Sequence, residues 1–345
     1  MLPDNILFSD QIAEDLIAFL KKKKYSKLAV LVDEHTLEHC YPLLKDALGD
    51  HFVIEVSSGE EQKNLNTCQT IWQAMTDQAL DRHACILVLG GGVLGDMGGF
   101  CASTYKRGID FILVPTTLLA QVDASIGGKL GIDFNHFKNH IGVFNQPTLT
   151  ILHSGFLKTL PTPELRSGFA EVIKHTLISD KAMWDEISAK SLTDQDWNKI
   201  LKHSVEFKAA VTQEDPTEIG LRKILNAGHT IGHALESYLL GSGRKILHGE
   251  AVAVGLITEA SIARNRKMHD DRSFQYIKAY ILKIFGKVQF ESKEVGAIAS
   301  LALQDKKNKD NRILCVLPTE IGKAVWDVEI TQAEVENALL FYRSL

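Results

Sequence analysis

The segment "ACILVLGGGVLGDMGGFCAST", Ala84 to Thr104, constrains the fold more than any other stretch of this chain. An unbroken apolar run reads as a strand buried on both faces, as in parallel sheets whose crossover connections cover both sides. The run ends in Gly90, Gly91 and Gly92 and resumes as a helix-like segment carrying Gly95, Gly98 and Gly99 around one acid, Asp96. Glycine loses the most backbone freedom on folding, so such a cluster marks a sharp turn or a backbone that something approaches closely. A strand that turns directly into a helix is the βα half of a βαβ unit.

The flanking sequence repeats the alternation. Lys27–Glu34 ("KLAVLVDE") reads as a strand followed by a helix through "TLEHCYPLLKDAL". Phe52–Val56 is a second strand and "LNTCQTIWQAMTDQAL" a second helix; Asp110–Thr117 is a fourth strand. β-branched runs alternating with amphipathic segments specify a mainly parallel, Rossmann-like sheet. After Pro147 the texture changes to 3.6-residue periodicity, with helices expected over Ile187–Val211, Ile224–Leu240 and Gly249–Arg264. "NRILCVLP" and "KAVWDVEI" flank "TEIG" and read as a small hairpin. The expectation is an α/β domain over residues 1–150 and a mostly α-helical domain over 151–345, with the active site in the cleft between them, where such sites commonly lie.

A length of 345 residues suits two domains, and 45% apolar with 23% charged residues suits an ordinary globular core. A net charge of −5 argues against a nucleic-acid partner, leaving room for local basic pockets for small anions. The five cysteines are odd in number and lack C-x-x-C spacing, so neither a disulfide framework nor a zinc ribbon is expected. The N-terminus lacks the build of a signal peptide, and the longest apolar stretch, "EAVAVGLITEASIA", is too short to span a membrane. The cytoplasm is the expected compartment.

Two constellations carry chemistry. The glycine turn leads into a helix N-terminus, where bare backbone N–H groups favour phosphates. The order is G-G-G-x-x-G-D, not the usual dinucleotide fingerprint, and a tight strand–helix junction is the lesser alternative when the stretch is taken by itself. Thr116 and Thr117 at the end of the fourth strand, Asp123, Lys129 in "GGK", and Lys138 and Asn139 in "FKNH" follow closely, a set suited to anions. The second constellation is Glu171 in "AEVIK", His229 and His233 in "LNAGHTIGHALE", and His248 in "LHGEAVAVG". One carboxylate with two imidazoles is a common catalytic zinc set that leaves a position open. Spacing leaves open which two histidines serve, although His229 and His233 share a helix face.

Taken in order, "GGGVLGDMGGFCASTYKRGIDFILVPTTLLAQVDASIGGKLGIDF", "KNHIGVFNQP", "AEVIK", "GLRKILNAGHTIGHALE" and "LHGEAVAVG" resemble the 3-dehydroquinate synthase family of sugar phosphate cyclases, over roughly Ser58 to Lys307. The resemblance implies an NAD- and zinc- or cobalt-dependent lyase of the shikimate pathway, acting as a homodimer. It would convert 3-deoxy-D-arabino-heptulosonate 7-phosphate to 3-dehydroquinate and phosphate by transient oxidation, elimination, reduction, ring opening and aldol closure. It implies Glu171, His229 and His248 as metal ligands and His233 as a proton-transfer group. The cofactor would lie along Ser58, Gly59, Glu60, Glu61, Gln62 and Lys63, then Gly92, Val93, Leu94, Gly95 and Asp96. Thr116, Thr117, Lys129, Lys138, Phe156, Leu157, Lys158 and Thr159 would complete its site, with Asp33 at the adenosine end. The substrate would meet Asp123, Lys129, Asn139, Lys174, Lys208, Arg222, Asn226 and Lys306 or Lys307, with Arg107 reaching the phosphate from a neighbouring subunit. Leu130 and Asp133 stand where the family commonly has threonine and asparagine, Ser58 where aspartate is common, and Ala227 where a bulkier residue is usual. A polyol dehydrogenase of related fold and a non-enzymatic NAD sensor are the other readings; neither accounts for so many anion-binding residues beside an intact metal set.

Overall fold

The computed structural model describes residues 2–135, 137–303 and 312–345. It divides into two compact units, one of Met1–Pro161 with Trp197–Ala209 and the other of Thr162–Asp196 with Ala210–Leu345. The first unit therefore continues past residue 150 to Pro161 and takes in a later segment, Trp197–Ala209, that sequence reading assigned to the second.

The first unit holds a six-stranded sheet built from β1 (Ile6–Phe8), β2 (Leu28–Asp33), β3 (Phe52–Val56), β4 (Cys85–Gly90), β5 (Asp110–Pro115) and, later in the chain, β8 (Leu149–Leu152), in the order β1-β8-β5-β4-β2-β3. Every pairing in it is parallel. Between β5 and β8 lies an antiparallel hairpin, β6 (Lys129–Phe134) with β7 (Phe137–Phe144). The sheet has apolar packing on both faces, and strand alternation sorts the residues. Ala29, Leu31, Ile86, Val88, Phe111 and Leu113 enter one core. Val30, Val32, Leu87, Leu89, Ile112 and Val114 enter the other. Strand order reverses between β2 and β4, a topological switch point, and ligands of such sheets bind beyond the carboxyl ends of the strands there.

Helices α1 (Ile12–Lys23), α2 (Glu34–His39), α3 (Leu65–Asp77) and α4 (Gly92–Thr104) complete this unit, together with Trp197–Ala209 of α7, which runs from Trp197 to Glu214. The helix expected through "TLEHCYPLLKDAL" stops at His39 and continues as two short 3-10 turns, Tyr41–Leu43 and Lys45–Ala47. Pro42 at the start of the first turn removes a backbone donor.

The second unit is built from α5 (Thr162–Ser179), α6 (Lys181–Ser188), α8 (His229–Gly241), α9 (His248–Asn265), α10 (Asp271–Phe285), α11 (Val295–Ala302) and α12 (Gln332–Ser344). The hairpin β9 (Ile313–Glu320) with β10 (Lys323–Ile330) also belongs to it, as sequence reading expected. Two expected helices are interrupted. Ile187–Val211 breaks between Ser188 and Trp197, and Ile224–Leu240 breaks at Gly228, whose φ of 77° no helix accommodates. That break starts α8 at His229.

Contacts at backbone distance set the helices of this unit. A Cβ on Gly255 of α9 would lie 1.8 Å from the Gly228 carbonyl oxygen, and one on Gly232 of α8 would lie 2.8 Å from the Ala251 oxygen. At the very start of α9, a Cβ on Gly249 would lie 2.0 Å from the Ser167 oxygen of α5. Only glycine permits these approaches, and they bring the start of α8, the start of α9 and the middle of α5 together.

Candidate active site

Within the first unit the glycine segment resolves into two kinds of position. Cβ atoms on Gly98 would collide with Val88 and Leu31 at 2.7 and 2.8 Å, and on Gly99 with Leu130 at 2.6 Å. These glycines seat α4 on the sheet and on β6. A Cβ on Gly95, by contrast, would meet nothing within 4 Å. Gly91, Gly92, Gly95, Asp96, Ser125 and Lys129 line one recess. Thr116 N donates to the Gly90 carbonyl at 3.0 Å, which keeps Thr116 and Thr117 beside the glycine turn. Bare backbone at a helix N-terminus, open on the side a Cβ would fill, fits a diphosphate.

The other expected cofactor residues belong to the same unit. Asp33 caps α2, its carboxylate accepting from Thr36 N at 2.8 Å. Ser58 N and Oγ both donate to Glu34, at 2.9 and 2.6 Å. Lys63 Nζ donates to Asp96 Oδ2 and to Asn139 Oδ1, each at 2.6 Å. Burial raises the Asp96 carboxyl above its usual range, although Lys63 opposes the shift. Asp133 continues the network: its N–H donates to the Lys63 carbonyl at 2.8 Å, and its Oδ1 accepts from Asn139 N at 2.7 Å. Asp133 and Leu130 thus have local work, Leu130 packing over Gly99 and Asp133 holding Asn139 at its φ of 50°. Glu60 pairs with Lys138 at 3.6 Å. Phe156 and Leu157 are buried, Phe156 in one of the two cores that flank the sheet. Lys208 Nζ meets both the backbone oxygen of Asp123 at 2.6 Å and its Oδ1 at 2.7 Å.

In the second unit, Glu171 on α5 is fully buried. Its Oε1 lies 3.4 Å from His229 Nε2 and 3.6 Å from His248 Nε2, and its Oε2 pairs with Lys174 one turn along the helix. His229 and His248 are the first residues of α8 and α9, so the glycine contacts that pack these helices also assemble the group. Each of these histidines has its other nitrogen at an oxygen: His229 Nδ1 at the Ala227 carbonyl, 2.9 Å away, and His248 Nδ1 at Glu236, 3.5 Å away. Burial first, and then Lys174, hold His229 well below the usual imidazole range, so it is neutral and its Nε2 lone pair is available. Burial opposes the charged form of His248, yet its bonds to Glu171 and Glu236 prevail and push it up to about 9.

His233 also belongs to this cluster. The ring nitrogens available from His229, His233 and His248 lie within 4.8 Å of one another. One carboxylate and imidazoles whose Nε2 atoms converge on it fit a divalent ion of the zinc type, with a position left open.

Arg222 and Asn226 lie in the 3-10 segment that precedes α8, Leu221–Asn226. Arg222 donates to the Pro216 carbonyl at 2.7 Å and Asn226 to Glu218 at 2.8 Å. Arg107 is exposed, in the turn after α4. Lys306 and Lys307 lie outside the described residues.

Sequence reading missed Glu236 and Glu259. Glu236 shares a helix face with His229 and His233, a spacing that was there to be read. Glu259, 1% exposed, is a single acid inside the apolar run of α9, and its Oε2 accepts from Gly228 N at 2.5 Å. An acid in such a run is costly unless it is hydrogen-bonded, which is the signal that it has a task.

Solved structures share this fold. A 2-epi-5-epi-valiolone synthase from Streptomyces hygroscopicus, with NAD+ and Zn2+ bound, superposes with a TM-score of 0.87 over 100% of this chain and 98% of its own, at 26% identity. A 2-deoxy-scyllo-inosose synthase complexed with carbaglucose-6-phosphate, NAD+ and Co2+ has a TM-score of 0.84 at 22% identity, over 98% and 96% of the two chains. The fold is that of the sugar phosphate cyclases.

Sequence narrows the class. Residues 53–167 match the model of the 3-dehydroquinate synthase N-terminal domain, and residues 168–308 that of its C-terminal domain. The 3-dehydroquinate synthase of Parabacteroides distasonis is 34% identical over 99% of both chains. That of Alkaliphilus metalliredigens is 42% identical over 82% of this chain and 80% of its own. The chain belongs to the 3-dehydroquinate synthase family and is an enzyme, a carbon–oxygen lyase. Among the described residues no helix is long and apolar enough to cross a membrane.

Proposed function

We propose that this chain is a cytoplasmic, homodimeric 3-dehydroquinate synthase that converts 3-deoxy-D-arabino-heptulosonate 7-phosphate to 3-dehydroquinate and phosphate. The observation that carries this reading is the buried Glu171 facing His229 Nε2 and His248 Nε2, beside Lys174. When bound, NAD supplies a reversible hydride acceptor and the divalent ion a Lewis acid for substrate oxygens.

The chain's own residues do the rest. Glu171, His229 and His248 hold the ion. Gly92–Asp96, Thr116 and Thr117 hold the dinucleotide, and Lys63 sets Asp96 through their 2.6 Å bond. Lys129, Lys174, Lys208, Arg222 and the partner's copy of Arg107 offset the charges of a substrate bearing both carboxylate and phosphate. Asp123, Asn139 and Asn226 orient its hydroxyls. His233 carries a proton on its imidazole, a role that contributes about 10²- to 10⁴-fold. The departing phosphate is itself a base, so elimination requires no further side chain.

The test is phosphate release from the heptulosonate phosphate with NAD well below stoichiometry. The expected outcome is many equivalents of phosphate with no NADH accumulating in solution. NADH rising with simple polyols, and no phosphate, would move the protein to the dehydrogenase reading. Release from a different sugar phosphate alone would keep the cyclase chemistry and replace the substrate.

A further inference from the structure

One peptide unit, Ala227–Gly228, connects a buried carboxyl group to His229. Its carbonyl oxygen lies 2.9 Å from His229 Nδ1, and its N–H donates to Glu259 Oε2 at 2.5 Å. A carbonyl oxygen can only accept, so Nδ1 carries the hydrogen. Nε2 is then the lone-pair nitrogen, and it is the one 3.4 Å from Glu171. The peptide is held in place: Gly228 has φ 77°, a Cβ there would meet Leu256 and the Val252 oxygen at 2.8 and 2.9 Å, and the next carbonyl, that of Gly228, is backed by Gly255.

We propose that Glu259 is a positioning residue for the metal site, acting on His229 through this single peptide. The carboxylate draws on the N–H, the carbonyl at the other end of the unit becomes a stronger acceptor, and His229 is held in the Nδ1–H tautomer with a more basic Nε2. His248 has the direct version of the same device, its Nδ1 facing Glu236 at 3.5 Å. Both carboxylates thus lie behind the ligands, and neither was expected from the sequence. The proposal rests on the reading of Glu171, His229 and His248 as metal ligands.

The experiment measures Co2+ affinity of the full chain without substrate, by titration of the visible absorption against a competing chelator. Glu259→Gln keeps an oxygen for Gly228 N but removes the charge, and it should weaken Co2+ about tenfold while the metal-free protein keeps its far-UV spectrum. The loss should persist in a His233→Ala background and vanish in a His229→Ala background, which a general loss of packing would not produce. Unchanged affinity in Glu259→Gln, with His229→Ala weakened, overturns the relay alone. Unchanged affinity in His229→Ala overturns the metal assignment and the relay with it. Should Glu259→Gln fail to fold, histidine-labelled wild type decides by nitrogen NMR: a protonated His229 Nδ1 with metal-shifted Nε2 supports the proposal, and the opposite tautomer ends it.

Discussion

At the scale of single residues, the roles proposed for the clustered histidines are ones that substitution can separate. His229 and His248 both turn Nε2 toward Glu171 and place Nδ1 at an oxygen, the arrangement of a supported ligand. His233 stacks edge-on against His229 at 5.0 Å between ring centres, and lies 5.7 Å from His248. His248→Ala should weaken zinc by roughly 100-fold or more, because an ion held as proposed by Glu171, His229 and His248 would lose a whole bond. His233→Ala should retain the metal, measured by dialysis and elemental analysis, while turnover falls about 10²-fold or more. Metal lost from the His233 variant and kept by the His248 variant would reverse the two roles. A residue-scale test of the glycine turn follows from its geometry. Gly95→Ala adds a methyl group where nothing lies within 4 Å, so the free protein should gain about 0.5–1 kcal/mol from the helix preference of alanine. The same methyl group projects where the diphosphate is proposed to lie, and NAD affinity measured by calorimetry should fall about tenfold or more. Gly98→Ala, which meets Val88 and Leu31, should instead cost about 1–3 kcal/mol. Equal effects from both would mean that the two glycines do the same job.

At the scale of elements, α12 shows how a terminal helix is fastened and what acid does to it. Thr331 and Glu334 form a capping box, and Arg266, just past the end of α9, grips Glu334 through Nε at 2.6 Å and Nη2 at 2.8 Å. The bonds from Arg266 lead a set that outweighs desolvation and lowers the Glu334 carboxyl to about 2. A depressed carboxyl contributes stability that is present above its unfolded value near 4.5 and is lost as pH falls toward 2. Glu334→Gln should therefore cost about 1–2 kcal/mol at neutral pH, and the gap to wild type in urea titrations should close between about pH 4.5 and 2. A gap independent of pH would assign the effect to the cap's shape and not to its charge. Elements of this kind also show what the sequence made legible. β2, β3, β4, β5, the glycine turn and the β9–β10 hairpin lie where apolar runs and turn residues place them, because their patterns are local. The three-residue β1 and the four-residue β8 are too short to leave a pattern, and pairing with each other and with β5 makes them strands. No strand was expected where the β6–β7 hairpin lies, since β7 is largely exposed and shows no buried face. The donor residues were legible by type, whereas their convergence depends on Gly228, Gly232, Gly249 and Gly255 meeting backbone far away in sequence, which no local spacing encodes.

At the scale of the whole molecule, the turn after α4 bears on the proposed homodimer. Lys106 and Arg107 both have positive φ, 49° and 71°, and Gly108 follows at 111°. Two consecutive side-chain-bearing residues in the left-handed region are costly, and such strain is kept where the surrounding structure imposes it, often at functional sites. Here it leaves Arg107 exposed, while the chain closes behind it through Gly108 N donating to the Tyr105 carbonyl at 2.8 Å. A cation presented in this way suits a site on a second copy of the chain, which is the proposed task of Arg107. Arg107→Ala and Lys129→Ala should each lack activity as homodimers, for want of one anion contact apiece. Co-assembled from a denatured equal mixture, half of the dimers carry one copy of each. If Arg107 acts on the partner's site, every mixed dimer has one site with both residues intact and one with neither. The mixture should then recover about a quarter of wild-type activity, as two-fold symmetry requires. If Arg107 acts within its own chain, every site in the mixed dimer lacks one residue. Differently tagged subunits, purified through both tags in turn, isolate the mixed dimer and raise the expected value to about half. An isolated mixed dimer as inactive as its parents would return Arg107 to its own subunit.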